Sequence, residues 1–193
     1  MKYSIEELKS VLKSILSEKR YNHSILVMEE AQRYALKYKP GDKEFLERVK
    51  RAALMHDVCK EMTREEVIKY VEENNIDLNI DKEENKPLIH GIIGADLCFR
   101  KYDFTSEMAN AIRWHTTGSL NMSLMDKIVF IADKIGRENL DDDLKKIRNL
   151  SYNNLDDGII LFIEKNIVRL KSKGIPIIDL SYKVVDGIKA KKN

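Results

Sequence analysis

The sequence predicts an all-α protein built as a single helical bundle. Apolar residues recur at helical spacing along most of the chain, and capping boxes begin several of these segments. No segment alternates apolar and polar residues with a period of two, and no Asn-Gly or Asp-Gly pair lies between two such segments. The length of 193 residues suits one domain with a sizeable core.

Four helices are expected in the first part of the chain. Capping boxes at Ser4–Glu7 and Thr63–Glu66 start the first and the fourth. The second begins near His23 and ends before the turn at 39–42, and the third runs from about Lys43 to Lys60. Burial is expected for the apolar residues of the first two helices: Ile5, Leu8, Val11, Leu12, Ile15, Leu16, Ile25, Leu26, Met28, Ala31, Ala35 and Leu36.

The second part of the chain begins with a polar loop at 76–87, which Pro87 interrupts, and is helical afterwards. One helix is nearly all apolar yet contains Asp133, and it follows a sequence at Ser123 that resembles a capping box. The helices expected here are Leu88–Lys101, Ser106–Trp114, the apolar segment around 128–132, a segment from Asp141, Leu155–Lys171 and Ser181–Ala190.

Composition and charge restrict the class of protein. Charged residues make up 34% and hydrophobic residues 43% of the chain, which is typical of a soluble globular protein. The formal net charge of +2 does not indicate nucleic acid or an anionic membrane as a partner. The basic residues near the end of the chain are interpreted as a solvated tail: Lys183, Lys189, Lys191 and Lys192.

Cysteine content and the N-terminal sequence indicate a cytoplasmic protein. Cys59 and Cys98 lie among apolar residues and are expected to be small core side chains rather than a disulfide framework. The first residues have helical periodicity with acidic side chains, unlike a signal peptide. No apolar run approaches the roughly 18–20 residues of a membrane span.

Residues 51–60 place the pair His56-Asp57 inside an apolar run. A buried carboxylate beside an imidazole needs compensation, either from a hydrogen-bonded pair or from a metal ion. The other histidines and Asp133 also lie on or at the ends of helices with core-like residues. Six N and O ligands could therefore converge in the centre of a bundle: His23, His56, Asp57, His90, His115 and Asp133.

Each of these residues also has an ordinary structural interpretation. His23 could pack at a helix start, His90 could lie in a first helical turn, and His115 could interact with a helix C-terminus. Asp133 has only Lys134 or Arg137 as an obvious cationic partner on its segment. Neutral imidazole and carboxylate ligands without thiolate suit Fe, Mn, Co, Ni or Zn, and the residues do not choose among them.

The order H…HD…H…H…D along a helical chain resembles the HD-domain metal-dependent phosphohydrolases. The resemblance covers about residues 18–175, which leaves 176–193 as a C-terminal appendage of a single domain spanning 1–193. The segments RYNHSILVMEEA, ALMHDVCK, LIHGIIGA, AIRWHTTG and KIVFIADKIGREN resemble one branch, the symmetrical bis(5′-nucleosyl)-tetraphosphatases of the YqeK type. Those enzymes split diadenosine tetraphosphate into two ADP.

The resemblance implies an enzyme with two metal ions, iron being the metal that the family suggests. His23, His56, Asp57 and Asp133 would hold one ion, and His90 and His115 the other, with Asp57 bridging. A metal-bridging hydroxide would then attack phosphorus. The implied catalytic residues are Asp57 and Lys60, and the implied nucleotide contacts are Arg20, His23, Lys60, His90, His115, Thr116, Asp133 and Arg137.

Other interpretations stay open. This branch commonly has a Tyr after the Ala-Asp pair and a Pro before Asn-Arg, whereas here the segment continues Lys134 to Asn139, so the phosphate contact could fall on Arg137 or Asn139. The alternatives are a mononucleotide, triphosphate or (p)ppGpp hydrolase, a non-catalytic nucleotide-binding HD module, or a purely structural helical domain. A dinucleoside polyphosphate or ADP-like partner and a homodimer are implied, whereas base preference is not.

Overall fold

The computed structural model describes residues 2–78, 80 and 88–191, and in these residues it contains ten α-helices and no strand. The all-α prediction is thereby confirmed. The helices are α1 (Ile5–Ile15), α2 (Glu18–Tyr38), α3 (Lys43–Met55), α4 (Arg64–Glu73), α5 (Ile89–Lys101), α6 (Ser106–Trp114), α7 (Leu124–Ile135), α8 (Asp142–Asn153), α9 (Leu155–Ser172) and α10 (Asp179–Ala190).

Helix α7 forms the centre of the bundle. Helices α2, α3, α6, α8 and α9 all pack against it. A helix surrounded in this way must be apolar on nearly all sides, and Ile128, Val129 and Ile131 are fully buried. The apolar run that contains Asp133 is thus the core helix, and it carries the carboxylate into the middle of the molecule.

The predicted helix starts are confirmed where a local cap defines them. Ser4, Thr63 and Ser123 each accept a hydrogen bond from the backbone N–H three residues later, and the side chain of that later residue returns a bond to the cap backbone. These are complete capping boxes, each satisfying N–H groups that would otherwise lack partners. The third box, which uses Asp126, fixes the start of α7.

The third helix is shorter than predicted. It ends at Met55 instead of continuing to Lys60, and His56 occupies its C-cap. Beyond it the backbone makes i→i+3 bonds, from Val58 N–H to the Met55 carbonyl at 3.1 Å and from Lys60 N–H to the Asp57 carbonyl at 2.9 Å. This tighter turn redirects the chain, so Asp57 faces the interior of the bundle.

Two burial predictions are wrong. Ile15 is 49% exposed and Leu36 is 48% exposed. Helix α1 packs against α2 and α3, which cover the stripe formed by Leu8, Leu12 and Leu16 and leave Ile15 outside it. Leu36 lies on the side of α2 that faces solvent. Both cysteines are buried and free, as predicted.

Two glycines allow neighbouring segments to approach closely. A Cβ on Gly158 would lie 2.2 Å from the Cβ of Ser151, so α8 and α9 touch at this point. A Cβ on Gly136 would lie 2.8 Å from the Cα of Val27. The second contact brings the end of α7 against α2, beside the site described below.

The remaining segments add little to the site. Residues 76–78 and 80 form no helix or strand, as the predicted loop requires, while Pro87 and the rest of that prediction lie outside the described residues. Lys192 of the basic tail also lies outside them. Helix α10 packs on α9 and buries Val184, Val185 and Ile188. In the described part of the chain no helix combines the length and apolarity that a membrane span requires.

Candidate metal centre

The structure brings all six predicted ligands together in one cluster. His23 comes from α2, His90 from α5 and Asp133 from α7, while His56, Asp57 and His115 follow the ends of α3 and α6. Neighbouring imidazole rings meet edge to face, with centroid distances of 5.3 Å for His23 and His56, 5.0 Å for His56 and His115, and 4.9 Å for His90 and His115. Five separate segments therefore converge on one point.

Backbone carbonyls orient three of the four imidazoles. Nδ1 of His56 lies 2.7 Å from the Ala53 carbonyl, and Nδ1 of His115 lies 2.6 Å from the Ile112 carbonyl. Nδ1 of His23 lies 3.2 Å from the carbonyl of Gly136. A carbonyl only accepts, so Nδ1 carries the proton in each ring and Nε2 of the neutral imidazole is a free lone pair. This is the orientation typical of histidines that bind metals.

The free Nε2 atoms face carboxylate oxygens. Nε2 of His23 is 3.1 Å and Nε2 of His56 is 3.4 Å from Oδ1 of Asp133. Two lone pairs facing each other repel unless a proton or a cation lies between them. Nε2 of His56 and Oδ1 of Asp57 are also buried without a hydrogen-bond partner. Because buried polar atoms are almost always satisfied, these residues fit a metal ion.

Asp57 divides the cluster into two halves. Its Oδ2 lies 3.4 Å from Nε2 of His56, on the side of His23 and Asp133. Its Oδ1 lies 3.3 Å from Nε2 of His90 and 3.6 Å from Nε2 of His115. A carboxylate placed this way can offer one oxygen to each of two cations. Two groups have donor atoms within 4.8 Å of one another, His23–His56–Asp133 and His56–Asp57–His115.

The protonation states of the residues in the cluster depend strongly on one another. Burial disfavours the imidazolium form of His56, but the carboxylates of Asp57 and Asp133 outweigh burial and raise its pKa to about 10. Burial disfavours the ionised form of both carboxylates as well. The neighbouring His56 nevertheless holds the pKa of Asp57 far below its usual range. Lys134 and His23 do the same for the pKa of Asp133. Without a metal the cluster therefore takes up a proton on His56.

The two imidazoles on the other side of the cluster, those of His90 and His115, resist protonation. Burial lowers the pKa of His90 to about 4, with further contributions from the neighbouring charges, and burial also lowers the pKa of His115. Both imidazoles are thus neutral near pH 7. Neutral imidazole is the form that binds a metal, so this half of the site has its ligands in the required state.

Three cationic side chains border the carboxylates. Nη1 of Arg20 lies 2.8 Å from Oδ2 of Asp57. Nζ of Lys60 lies 3.8 Å from Oδ1 of Asp57 and 3.0 Å from Nε2 of His90, and burial lowers its pKa. The i→i+3 turn after α3 thus brings Lys60 beside Asp57, although the two residues do not share a helix.

The third cation is Lys134, which the sequence predicts only as one of two possible partners of Asp133. Its Nζ lies 2.7 Å from Oδ2 of Asp133. It also lies 5.0 Å from the ring centroid of Phe130 and 5.6 Å from that of Phe162. The feature of the sequence that points to Lys134 as part of the site is its position within the apolar run of α7.

The remaining predicted nucleotide contacts divide into two groups. Oγ1 of Thr116 lies 3.4 Å from Nε2 of His90 and 3.2 Å from Nε2 of His115, so it borders the cluster. Arg137 and Asn139 are exposed. Arg137 does not continue the helical face of Asp133, because α7 ends at Ile135. Within the described residues, no hydrogen bond or ion pair joins either side chain to the cluster.

A cleft of about 920 Å³ opens beside the cluster. Its walls come from the end of α6, from α7 and α9, and from the segment that joins α9 to α10. They include Thr116, Thr117, Phe130, Phe162, Leu170 and Ile177. Phe130 and Phe162 meet edge to face at 5.8 Å, which gives the cleft an aromatic wall next to Lys134. Its size and mostly apolar lining are typical of small-molecule sites.

The comparison with family models agrees with this geometry. The model described as "HD domain" matches residues 20–138, which is more than half of the chain and includes every residue of the cluster. The chain belongs to the HD domain family. It is therefore an HD-domain hydrolase, and its clustered side chains include two groups that could hold a metal ion, His23–His56–Asp133 and His56–Asp57–His115.

Curated relatives of this HD domain chain share one name, "Bis(5'-nucleosyl)-tetraphosphatase, symmetrical". The relative from Bacillus subtilis is 28% identical over 173 residues, which cover 89% of this chain and 90% of the relative. The relative from Staphylococcus aureus is 32% identical over 180 residues, covering 90% and 89%. The relative from Halalkalibacterium halodurans is 32% identical over 170 residues, covering 86% and 87%. The resemblance to this branch is confirmed.

One solved structure extends the likeness to the whole fold. It is described as a predicted HD superfamily hydrolase involved in NAD metabolism from Clostridium acetobutylicum. The two structures match with a TM-score of 0.85 at 27% identity, and the match covers 98% of each chain.

Proposed function

We propose that this chain is a metal-dependent hydrolase that cuts diadenosine tetraphosphate symmetrically into two ADP. The observation that carries the proposal is the set of free Nε2 atoms, fixed by backbone carbonyls and aimed at the carboxylates of Asp57 and Asp133. The names of the three curated relatives support the choice of substrate.

Two divalent cations fit the donor set. His23, His56, Asp57 and Asp133 would hold one, and His90, His115 and Asp57 would hold the other. We propose iron, while Mn, Co, Ni and Zn also suit imidazole and carboxylate ligands. When bound, such a pair supplies Lewis-acid activation of water and of the phosphate oxygens.

The reaction consumes one water. Its oxygen forms a bond to one of the two central phosphorus atoms, and the bond from that phosphorus to the central bridging oxygen breaks. The bridging oxygen leaves as a terminal oxygen of the second ADP, and the protons of the water pass to the solvent. The products are two identical nucleoside diphosphates, so the position of cleavage can be read directly from them.

The cationic side chains are suited to hold the polyphosphate. Arg20 and Lys60 already face Asp57, one on each of its oxygens, so phosphate oxygens that approach the cluster meet a positive charge on either side. The hydroxyl of Thr116 can donate to the same phosphates. The aromatic wall formed by Phe130 and Phe162 offers a nucleoside a surface for stacking.

Product analysis tests the proposal. Purified protein reconstituted with Fe²⁺ or Mn²⁺ would be incubated with diadenosine tetraphosphate, with Asp57→Ala as the inactive variant. Asp142→Ala is the matched control, since the Asp142 side chain is 99% exposed. We expect ADP as the sole product from the wild type and the control. AMP plus ATP would overturn the cleavage position, and turnover confined to mononucleotides or (p)ppGpp would overturn the substrate.

A further inference from the structure

A second cleft reaches the cluster from another side. It has a volume of about 330 Å³ and lies between the turn after α3, the start of α4 and the start of α5. Lys60 and His90 line it, whereas Thr116 lines the larger cleft. The two clefts meet at His90, because Nζ of Lys60 lies 3.0 Å and Oγ1 of Thr116 lies 3.4 Å from its Nε2.

The lining of the second cleft combines apolar walls with positive charge. Met62, Val67 and Ile89 provide the apolar surface, and Lys60 and Arg64 provide two cationic groups. The volume is at the lower end for ligand sites, which suits a single nucleoside. Apolar walls suit a base, and cationic groups beside the cluster suit the phosphates that lead to it.

A substrate cut at its centre has a nucleoside on each side of the scissile phosphorus. An enzyme that binds both halves needs two nucleoside sites with the reacting centre between them. The larger cleft can receive one half. On the basis of the function proposed above, we propose that the second cleft binds the other half of the dinucleoside polyphosphate, with its base against Met62 and Val67 and its phosphates toward Lys60.

A comparison of two substrates tests this assignment. Diadenosine tetraphosphate has two nucleosides, whereas adenosine 5′-tetraphosphate has one, which the larger cleft can hold. Met62→Trp would fill the second cleft, and Ile177→Trp is the matched variant in the larger cleft. We expect Met62→Trp to raise KM for diadenosine tetraphosphate at least about tenfold, because the indole would displace one of its two bases. A tenfold change corresponds to about 1.4 kcal/mol. KM for adenosine 5′-tetraphosphate should stay unchanged. Ile177→Trp should raise both values.

The outcomes separate this inference from the proposed function. Failure of the wild type to hydrolyse diadenosine tetraphosphate would overturn the function. Normal hydrolysis with KM changed equally for both substrates by Met62→Trp, or changed for neither, would overturn the second nucleoside site alone. Met62→Ala, which removes part of the wall without adding bulk, serves if the Trp variant does not fold. Calorimetric titration with ADP adds a measurement independent of turnover: two equivalents should bind to the wild type and one to Met62→Trp, while a single equivalent in the wild type would contradict the site.

Discussion

The ammonium group of Lys134 lies 2.7 Å from Oδ2 of Asp133, so the two oxygens of this carboxylate have separate partners. Oδ1 faces the imidazoles of His23 and His56, and Oδ2 is held by the lysine. The side chain of Lys134 is only 10% exposed. Lys134 therefore compensates a buried charge and also fixes which oxygen of Asp133 points into the cluster.

Replacing Lys134 by Met should destabilise the metal-free protein by about 3 kcal/mol, because it leaves a buried carboxylate without its main partner. A bound cation would take over part of that compensation. Metal should therefore restore more stability to Lys134→Met than it adds to the wild type. Urea denaturation in chelator and in excess Mn²⁺ measures both quantities.

Lys127 provides the control on the same helix. Its Nζ also lies 2.7 Å from a carboxylate, Oδ1 of Asp156, but its side chain is 25% exposed. Lys127→Met should cost less than about 1 kcal/mol, as partly exposed pairs usually do, with no dependence on metal. Equal losses from the two substitutions would show that Lys134 has no special relation to the cluster.

Asp57→Ala and Lys60→Ala should have different effects. Loss of Asp57 removes an oxygen from both halves of the cluster, so metal content should fall to background and turnover should cease. Lys60→Ala should retain metal and mainly raise KM, by about tenfold for the loss of one charged phosphate contact. Elemental analysis together with steady-state kinetics distinguishes them. Small and equal changes in both variants would contradict the assigned roles.

Gly158→Ala should strongly destabilise the contact between α8 and α9. The added Cβ would lie 2.2 Å from the Cβ and 2.7 Å from the Cα of Ser151, so backbone would have to move. We expect a loss of about 3 kcal/mol or more in the free energy of unfolding. Gly187→Ala in α10 is the control, because its nearest neighbour lies at 4.0 Å. That substitution should stabilise by up to about 1 kcal/mol through helix propensity. Similar melting temperatures for the two variants would be contrary evidence.

The thiols should be inert in the native protein. Burial raises the pKa of Cys59 to about 12 and raises that of Cys98 well above its usual value. Since the thiolate is the reactive form, alkylation should stay slow from pH 7 to about 10 and accelerate only as the pH approaches 12. A thiol reagent should modify no cysteine at pH 8 and both in denaturant. Rapid native modification at pH 8 would be inconsistent with this burial.

Local signals predicted much of the fold. Ser4, Thr63 and Ser123 cap helices through bonds to residues three positions away, so the sequence contains the whole interaction. The end of α3 at Met55 could not be predicted, because no local interaction in the sequence defines it. The apolar run continues past Met55, and the turn that follows depends on Asp57 meeting Arg20 and histidines from other helices.

The candidate site shows the same division. The convergence of its six His and Asp side chains could be predicted because buried His and Asp in apolar runs are chemically unusual. The sequence offers Lys134 and Arg137 as partners of Asp133 but does not choose between them. Adjacent residues on a helix point in different directions, so spacing alone does not favour Lys134. The ammonium is held beside Asp133 partly by the ring of Phe162, which comes from another helix. Such a contact depends on packing between distant parts of the chain.

The carbonyls that orient the imidazoles also have an electrostatic consequence. Those of Ala53, Ile112 and Gly136 lie at the C-terminal ends of α3, α6 and α7, so three helices direct their negative ends toward the same point. Each such end carries roughly half an elementary negative charge. Part of the attraction for cations therefore resides in the backbone, and no side-chain substitution removes all of it. Cation occupancy should in turn slow amide hydrogen exchange at these three helix ends together.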